Sequence, residues 1–433
     1  MYNAYVTRIK NVRKHPNADK LLLGECFGNT VCVDLSFEEG TLGVYFPADG
    51  QLSKEFAEAN NLLRKKDENG NNVGGYMDPE KRNICAIRLR GEKSDGLFLP
   101  LSCLSSFGDI SSLKEGDIVS TFNGNIIAEK YIPKRNVSRG YTQNLKKERK
   151  RKVNIAPLFK EHVDTEQLEY NLKAFKPQDE IEITLKMHGT SQRTAFLPVL
   201  IGYKRRNLWE FLTRKEKSPI YKYSYISGTR RTILENFEGG FYGDNHFRQQ
   251  HHDKFVGKLN KGETVYYEVV GFTDTNVPIM GKGDNKKLGK DFCKKYGDET
   301  IFNYGCKEKT SECYVYRMTL TNEDGFTVEY SPEFMRYRCE QIGVKTVPVL
   351  WHGQIPKTEK NPGEWIKRKA EEYYDGTDPV GKTHIREGVV VRLVDKPVFT
   401  AYKLKNYNFK MLEGIIKDAE TVPDMEEAQE LIK

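Results

Sequence analysis

The stretch Ile181-Glu182-Ile183-Thr184-Leu185-Lys186-Met187-His188-Gly189-Thr190-Ser191 constrains this chain more than any other. Its front half alternates. Ile181, Ile183 and Leu185 fall on one face of an extended strand, and Glu182 and Thr184 fall on the other. Lys186 stands where the strand ends, and Gly189 lets the chain turn sharply. A lysine held there beside a histidine and two hydroxyls is well placed as a nucleophilic amine next to a phosphate. The same stretch also fits an ordinary lysine at a strand end.

Length and composition bound the setting. At 433 residues the chain exceeds a typical single core, so two or three domains are expected. Hydrophobic residues at 38% and charged residues at 30% point to a soluble globular protein. No apolar run is long enough to span a bilayer, and Met1 to Lys20 lacks a signal-peptide core, so no membrane partner is expected. None of the eight cysteines forms a C-x-x-C pair, and no His/Cys cluster has zinc-ligand spacing. They read as reduced thiols in an intracellular protein, in the cytoplasm or a host cytoplasm. His251-His252 reads as a solvated helix end. The formal net charge of +8 suits a polyanion partner, as it does many ordinary proteins.

Residues 1–130 show strand character. Tyr5 to Ile9, Leu21 to Cys26, Thr30 to Val33, Gly43 to Phe46 and Cys85 to Leu89 are short apolar, β-branched and aromatic runs. Gly, Asn, Asp and Pro separate them. One helix is predicted over Ser53 to Asn60. This pattern suggests a small β-barrel of the oligonucleotide-binding (OB) type. Residues 131–154 form a basic linker, which can track a phosphate backbone, stay a solvated segment or serve as a nuclear-localisation signal. Residues 155–433 form the second, α+β domain. It opens with a predicted helix from Thr165 to Phe175, closed by Pro177, and ends in a short helix over Val422 to Lys433.

Five further motifs follow Lys186 in order. Ser227-Gly228-Thr229-Arg230-Arg231 offers an arginine after a glycine turn, a grip for phosphate. Thr264 to Gly271 is an apolar strand carrying Glu268, a charge that needs a partner there. Tyr314 to Met318 presents Tyr316, an aromatic able to stack on a base. Arg386-Glu387-Gly388-Val389-Val390-Val391-Arg392 puts Glu387 at the entry of a buried strand. Ala401-Tyr402-Lys403-Leu404-Lys405 sets two lysines on one face of a strand. Taken singly, each has a plain structural reading: salt bridges for the glutamates, core for the tyrosine, a solvated edge for the lysines.

Taken together and in order, these six motifs resemble the signature of the covalent nucleotidyltransferases, the polynucleotide ligases and mRNA capping enzymes. The Lys-Met-His-Gly-Thr form is similar to RNA ligases that repair duplex nicks. His15-Pro16-Asn17-Ala18-Asp19 resembles a stretch of tRNA-binding OB modules, although those are turn residues under any function. An N-terminal OB domain ahead of the transferase domain resembles one RNA ligase branch. After Lys405 only 28 residues remain, too few for the C-terminal OB domain of DNA ligases and capping enzymes.

The resemblance implies an N-terminal OB-like β-barrel joined to an α+β nucleotidyltransferase domain of the ATP-grasp-like ligase adenylation type. It implies an ATP-dependent RNA ligase acting at nicks in RNA or RNA/DNA duplexes, with Mg²⁺ or Mn²⁺, as a monomer in RNA repair. Lys186 would form lysyl-AMP. Lys403 and Lys405 would hold the α-phosphate and share the catalytic work. Leu185, His188, Gly189, Arg230, Glu268, Tyr316 and Glu387 would bind the nucleotide, with Glu387 also at the metal. The motif departs from some relatives in Leu185, where they carry glutamate, and in Ser191, where asparagine is common. Two other readings share features: a GTP-dependent capping-type guanylyltransferase, and a non-catalytic tRNA/RNA-binding OB protein.

Overall fold

Alternating apolar residues set the strands of this chain, and a few buried ion pairs bind its sheets together. The computed structural model describes residues 2–66, 72–132, 154–206, 209, 216–230, 232–234, 237, 246–394 and 396–418. Almost all of the basic linker, Arg231 and the 422–433 tail lie outside them. The chain forms two units, Met1–Arg135 with Tyr407–Thr421, and Asn136–Asn406 with Val422–Lys433.

The first unit contains β1 (Tyr5–Arg8), β2 (Lys10–Lys14), β3 (Leu22–Cys26), β4 (Asn29–Val33), β5 (Leu42–Phe46) and β6 (Gly50–Leu52). Helix α1 (Lys54–Ala59) follows, then β7 (Asn83–Ile84), β8 (Ala86–Leu89), β9 (Glu92–Asp95), β10 (Leu97–Pro100) and β11 (Ala128–Lys130). Ser53 caps α1 by accepting from the Phe56 amide. The sheets are small: β1-β5-β10, β2-β3-β4, β11-β6-β7 and the hairpin β8-β9. Val6, Val44, Phe46, Leu52, Phe56 and Leu104 fill their common core. Among the described residues these sheets do not close into a barrel.

The His15 turn is an internal tie. Its Nδ1 accepts from the Asn17 amide at 3.1 Å, so its Nε2 carries the proton toward Leu89 O at 3.0 Å. The Asn17 side chain donates to Arg90 O at 2.9 Å. The turn residues therefore fasten the β8-β9 hairpin.

The second unit is built on two sheets. One runs β12-β23-β22-β13-β21, from β12 (Glu166–Gln167), β13 (Glu180–Lys186), β21 (Val349–Gln354), β22 (Gly388–Leu393) and β23 (Ala401–Lys405). The other runs β16-β15-β14-β17-β18-β19, from β14 (Thr190–Tyr203), β15 (Pro219–Gly228), β16 (Ile233–Leu234), β17 (Glu263–Gly271), β18 (Ser311–Thr321) and β19 (Thr327–Glu329). A further strand, β20 (Lys345–Thr346), pairs in parallel with β18. Helices α2 (His246–Asp253), α3 (Pro332–Ile342) and α4 (Pro362–Glu371) cover them, and α5 (Tyr407–Asp418) follows β23. Among the described residues no helix is long and apolar enough to cross a membrane.

Ile181, Ile183, Val389, Val391 and Leu404 make the core of the first sheet. Charged groups buried beside the sheets are paired. Glu182 meets Arg336 at 2.5 Å, and Glu329 lies between Arg317 at 2.9 Å and Arg392 at 3.3 Å. Glu263, 0% exposed, takes both donors of the Arg338 fork at 2.9 and 2.8 Å.

Three expectations are corrected. The helix predicted over Thr165 to Phe175 is instead β12 followed by two 3₁₀ turns, Leu168–Tyr170 and Leu172–Ala174. Its backbone pairs with β23 through Glu166–Tyr402 and Gln167–Lys403, while Leu168 and Phe175 still reach the core. His251 and His252 are buried rather than solvated. They contact Ser311 Oγ at 2.9 Å and Thr194 Oγ1 at 3.2 Å, and burial pushes His251 down to about 3. Helix α5, placed by sequence in the second domain, belongs with the first unit. Tyr407 donates to Ile87 O at 2.5 Å, and Lys410 meets Asp95 at 2.6 Å. All eight cysteines are free thiols.

Burial alone would raise the Glu263 carboxyl, but the hydrogen bonds from Arg338, the Asn260 amide and Tyr330 hold it below its ordinary value. The stability this lends is complete above about pH 4.3 and is lost as pH falls below that. Removing the partner strands a buried charge. Arg338→Ala is expected to cost roughly 3–5 kcal/mol in urea unfolding at pH 7. The gap from wild type should narrow at pH 4, where the stranded carboxyl takes up a proton.

Candidate active site

Strand register assembles the site. In the first sheet Lys186 lies opposite Gly388, and Gly388 lies opposite Lys405. Two rows further on, Thr184 pairs with Val390 and Val390 with Lys403. Three neighbouring strand ends thus bring Lys186, Glu387 and Lys405 together, and the two-residue period puts Lys403 on the same face as Lys405.

At the centre is Glu387, 2% exposed. Its Oε1 receives Lys186 Nζ at 2.7 Å and Lys405 Nζ at 3.6 Å, and its Oε2 faces His188 Nδ1 at 3.6 Å. Burial alone would raise this carboxyl. Lys186, His188 and Lys405 outweigh burial and hold it down to about 2. Glu387 is therefore an anion that holds two ammonium groups in place. Its Oε2 is buried without a hydrogen bond. A buried carboxylate oxygen in that state fits a hard divalent cation, and Glu387 is the residue that would hold one.

The turn after Lys186 is set from several directions. The His188 amide donates to Tyr304 Oη at 2.6 Å, and the His188 ring packs edge-on against Phe302 at 4.6 Å. A side chain at Gly189 would meet Val269 O at 2.4 Å and Glu268 Cγ at 2.9 Å, so the turn lies directly against β17. Arg248 of α2 donates to Thr190 Oγ1 at 2.6 Å and to Ser191 O at 3.2 Å. Leu185 points into the opposite, buried face of β13, and its amide donates to Pro348 O at 2.9 Å. It meets the site through backbone alone.

Glu268 of β17 lies opposite Ser191, and Tyr316 of β18 shares a hydrogen bond with Ser191 Oγ at 3.1 Å. Tyr316 also packs edge-on against His162 at 5.0 Å. Burial, then Arg317, Arg230 and Arg193, keep that histidine well below its ordinary value, so it is a neutral ring. Arg230 follows β15 and is ion-paired with Asp164.

Sequence reasoning missed Tyr304, Phe302, Arg248 and His162. None carries a local signal, because each reaches the motif strands from a separate loop or helix. A second set of possible ligands, His251, Glu312 and Cys313, lies within 4.8 Å. Lys254 Nζ is 2.7 Å from Glu312 and 3.8 Å from Cys313 Sγ, so an ammonium already supplies the positive charge there.

Gly388 has φ +149°, and a Cβ on it would stand 2.1 Å from Leu404 O. Any side chain must push β22 away from β23 and Lys405 away from Glu387. Gly388→Ala is expected to cost roughly 1–3 kcal/mol in backbone strain alone. A lower melting temperature in calorimetry checks this.

No protein-family model matches the chain, and no curated protein matches it in sequence. Solved structures do match. An RNA ligase mutant from Naegleria gruberi determined with ATP and manganese aligns at TM-score 0.57 and 15% identity, over 94% of this chain and 98% of that one. A mutant of that ligase with AMP and manganese aligns at TM-score 0.55 and 16% identity, over 94% and 97%. The ligase with pyrophosphate aligns at TM-score 0.55 and 17% identity, over the same shares. Nearly full-length alignment at this level carries architecture: the chain has the fold of the Naegleria gruberi RNA ligase.

Proposed function

We propose that this protein is an ATP-dependent RNA ligase. The observation that carries the reading is the Lys186–Glu387–Lys405 cluster at three adjoining strand ends of this fold. Lys186 Nζ attacks the α-phosphorus of ATP. The P–N bond forms, the bond to the bridging oxygen breaks, and pyrophosphate leaves. A free lysine has a pKa of about 10.4, so Lys186 must give up a proton before attack. Glu387, held at about 2, is a poor acceptor for that proton and acts as a positioning anion. Glu387 would hold a divalent cation, which would supply positive charge to neutralise the phosphates.

Lys405 and Lys403 hold the α-phosphate, as fixed cations do where charge builds up. Ser191 and Tyr316, joined by their hydrogen bond, and Glu268 beside them line the nucleoside side. Arg230 grips a phosphate or the ribose once released from Asp164. His188 and Gly189 fix the turn. AMP then passes to an RNA 5′-phosphate, and a 3′-hydroxyl displaces it to seal the strand. The first unit, as an OB-type module, and the basic linker hold the nucleic acid through its backbone. The ligase acts as a monomer inside the cell, on nicked RNA or RNA/DNA duplexes, in RNA repair.

Incubation with α-labelled ATP and Mg²⁺ or Mn²⁺, read on a denaturing gel, tests this. Wild type is expected to carry a covalent label and Lys186→Ala none. Lys405→Ala should slow labelling roughly 10²-fold or more, the usual loss when a positioned donor at developing charge is removed. A label from GTP alone would point instead to a capping-type guanylyltransferase. Labelling of Lys186→Ala would end the proposal.

A further inference from the structure

Strands β14 and β15 form a long antiparallel arm whose outer half carries a ladder of aromatic rings. Register pairs Phe196 with Tyr225, Pro198 with Tyr223, Leu200 with Tyr221 and, past a bulge, Tyr203 with Pro219. Directly opposed residues share a face, as do residues two apart on a strand. Tyr225, Tyr223, Tyr221, Phe196 and Tyr203 therefore line one face. Phe196 stacks on Tyr225 at 4.4 Å and tilts onto Tyr223 at 5.6 Å. The opposite face is the core side, where Leu197 and Ile226 pack with Ile155 and Leu158.

The outer rings are open to solvent, Tyr221 at 43% and Tyr203 at 45%. The rim around them is basic. Lys204, Arg205 and Lys217 are exposed at its outer end, and Lys261 Nζ lies 5.0 Å from the Tyr223 ring. Among the described residues, the acidic groups at the arm include exposed Glu216 and exposed Glu323, which accepts from Tyr223 Oη at 3.3 Å.

Rings with a cationic rim match a ligand that offers flat π faces joined by anions, which is a nucleic-acid strand. The spacing selects its form. Side chains two apart on a strand stand about 7 Å from each other, roughly twice the rise between stacked bases. The ladder therefore takes bases that have left their stack, and an intact duplex cannot supply them.

We infer that this face binds an unpaired segment of RNA beside the break, with bases on Tyr221 and Tyr203 and phosphates on the basic rim. The inference rests on the RNA ligase reading and narrows its substrate to ends that carry a single-stranded flank.

The test uses the full-length protein with two double variants, Tyr203→Ala with Tyr221→Ala, and Tyr203→Phe with Tyr221→Phe. Binding is followed by fluorescence anisotropy with an unpaired 5′-phosphorylated RNA and with a fully paired RNA duplex. ATP labelling is measured alongside. The alanine variant should label at the wild-type rate, which shows it folded, and its Kd for unpaired RNA should rise about tenfold or more. The phenylalanine variant keeps both rings and should bind as wild type does, and duplex binding should hardly change. The inference is overturned if the alanine variant binds unpaired RNA as tightly as wild type. It is also overturned if duplex binding falls equally, or if the phenylalanine variant loses as much as alanine. A wild-type protein that takes no label from ATP sinks the ligase reading, while the anisotropy series still reports on the arm.

Discussion

One buried carboxylate organises the second unit. Glu387 has two ammonium groups on one oxygen, and each comes from a different strand. Removing a carboxylate from water is costly, and here the opposite charges offset that cost. The pairing also works in reverse. Two lysines packed side by side would repel each other without the anion between them. Strand register, the Gly388 conformation and the Gly189 turn are the backbone conditions that let all three groups meet.

The same device recurs beneath the site. Glu182 with Arg336, Glu329 with Arg317 and Arg392, and Glu263 with Arg338 put charge pairs beside the sheets, where apolar packing would also have served. Phe399 lies over both Arg317 and Arg392, at 4.9 and 5.2 Å, and shields that cluster. Arg392 of β22 reaches Glu329 of β19 at 3.3 Å and Tyr330 O at 2.7 Å, so this contact ties the two sheets of the unit to each other.

Much of this was legible in the sequence because strands write a simple code. The alternation of Ile181, Ile183 and Leu185 located β13, and the lysines at 403 and 405 fell on one face as the period requires. The Lys186, Glu387 and Lys405 positions could be read because each sits at a strand end with a local motif. Residues 165–175 misled because Leu168, Leu172 and Phe175 recur at helical spacing, while pairing with Tyr402 and Lys403 is a long-range fact. Tyr304 supports His188 from 116 residues away, and Arg248 supports Thr190 from 58. Neither contact leaves a periodic trace. The burial of His251 and His252 was hidden for a related reason, since their partners Ser311 and Thr194 lie on strands distant in sequence from α2.

Strand β14 has a consequence for scale. It starts at Thr190, one residue past the Gly189 turn, and runs to Tyr203 with one bulge at Ile201. Fourteen residues of strand span on the order of 40 Å. The chain thus carries a yardstick with the turn after Lys186 at one end and open aromatic rings at the other. A polymer that touches both ends must be long enough to cover that interval, so the length of one β-strand sets the shortest molecule able to engage the whole surface.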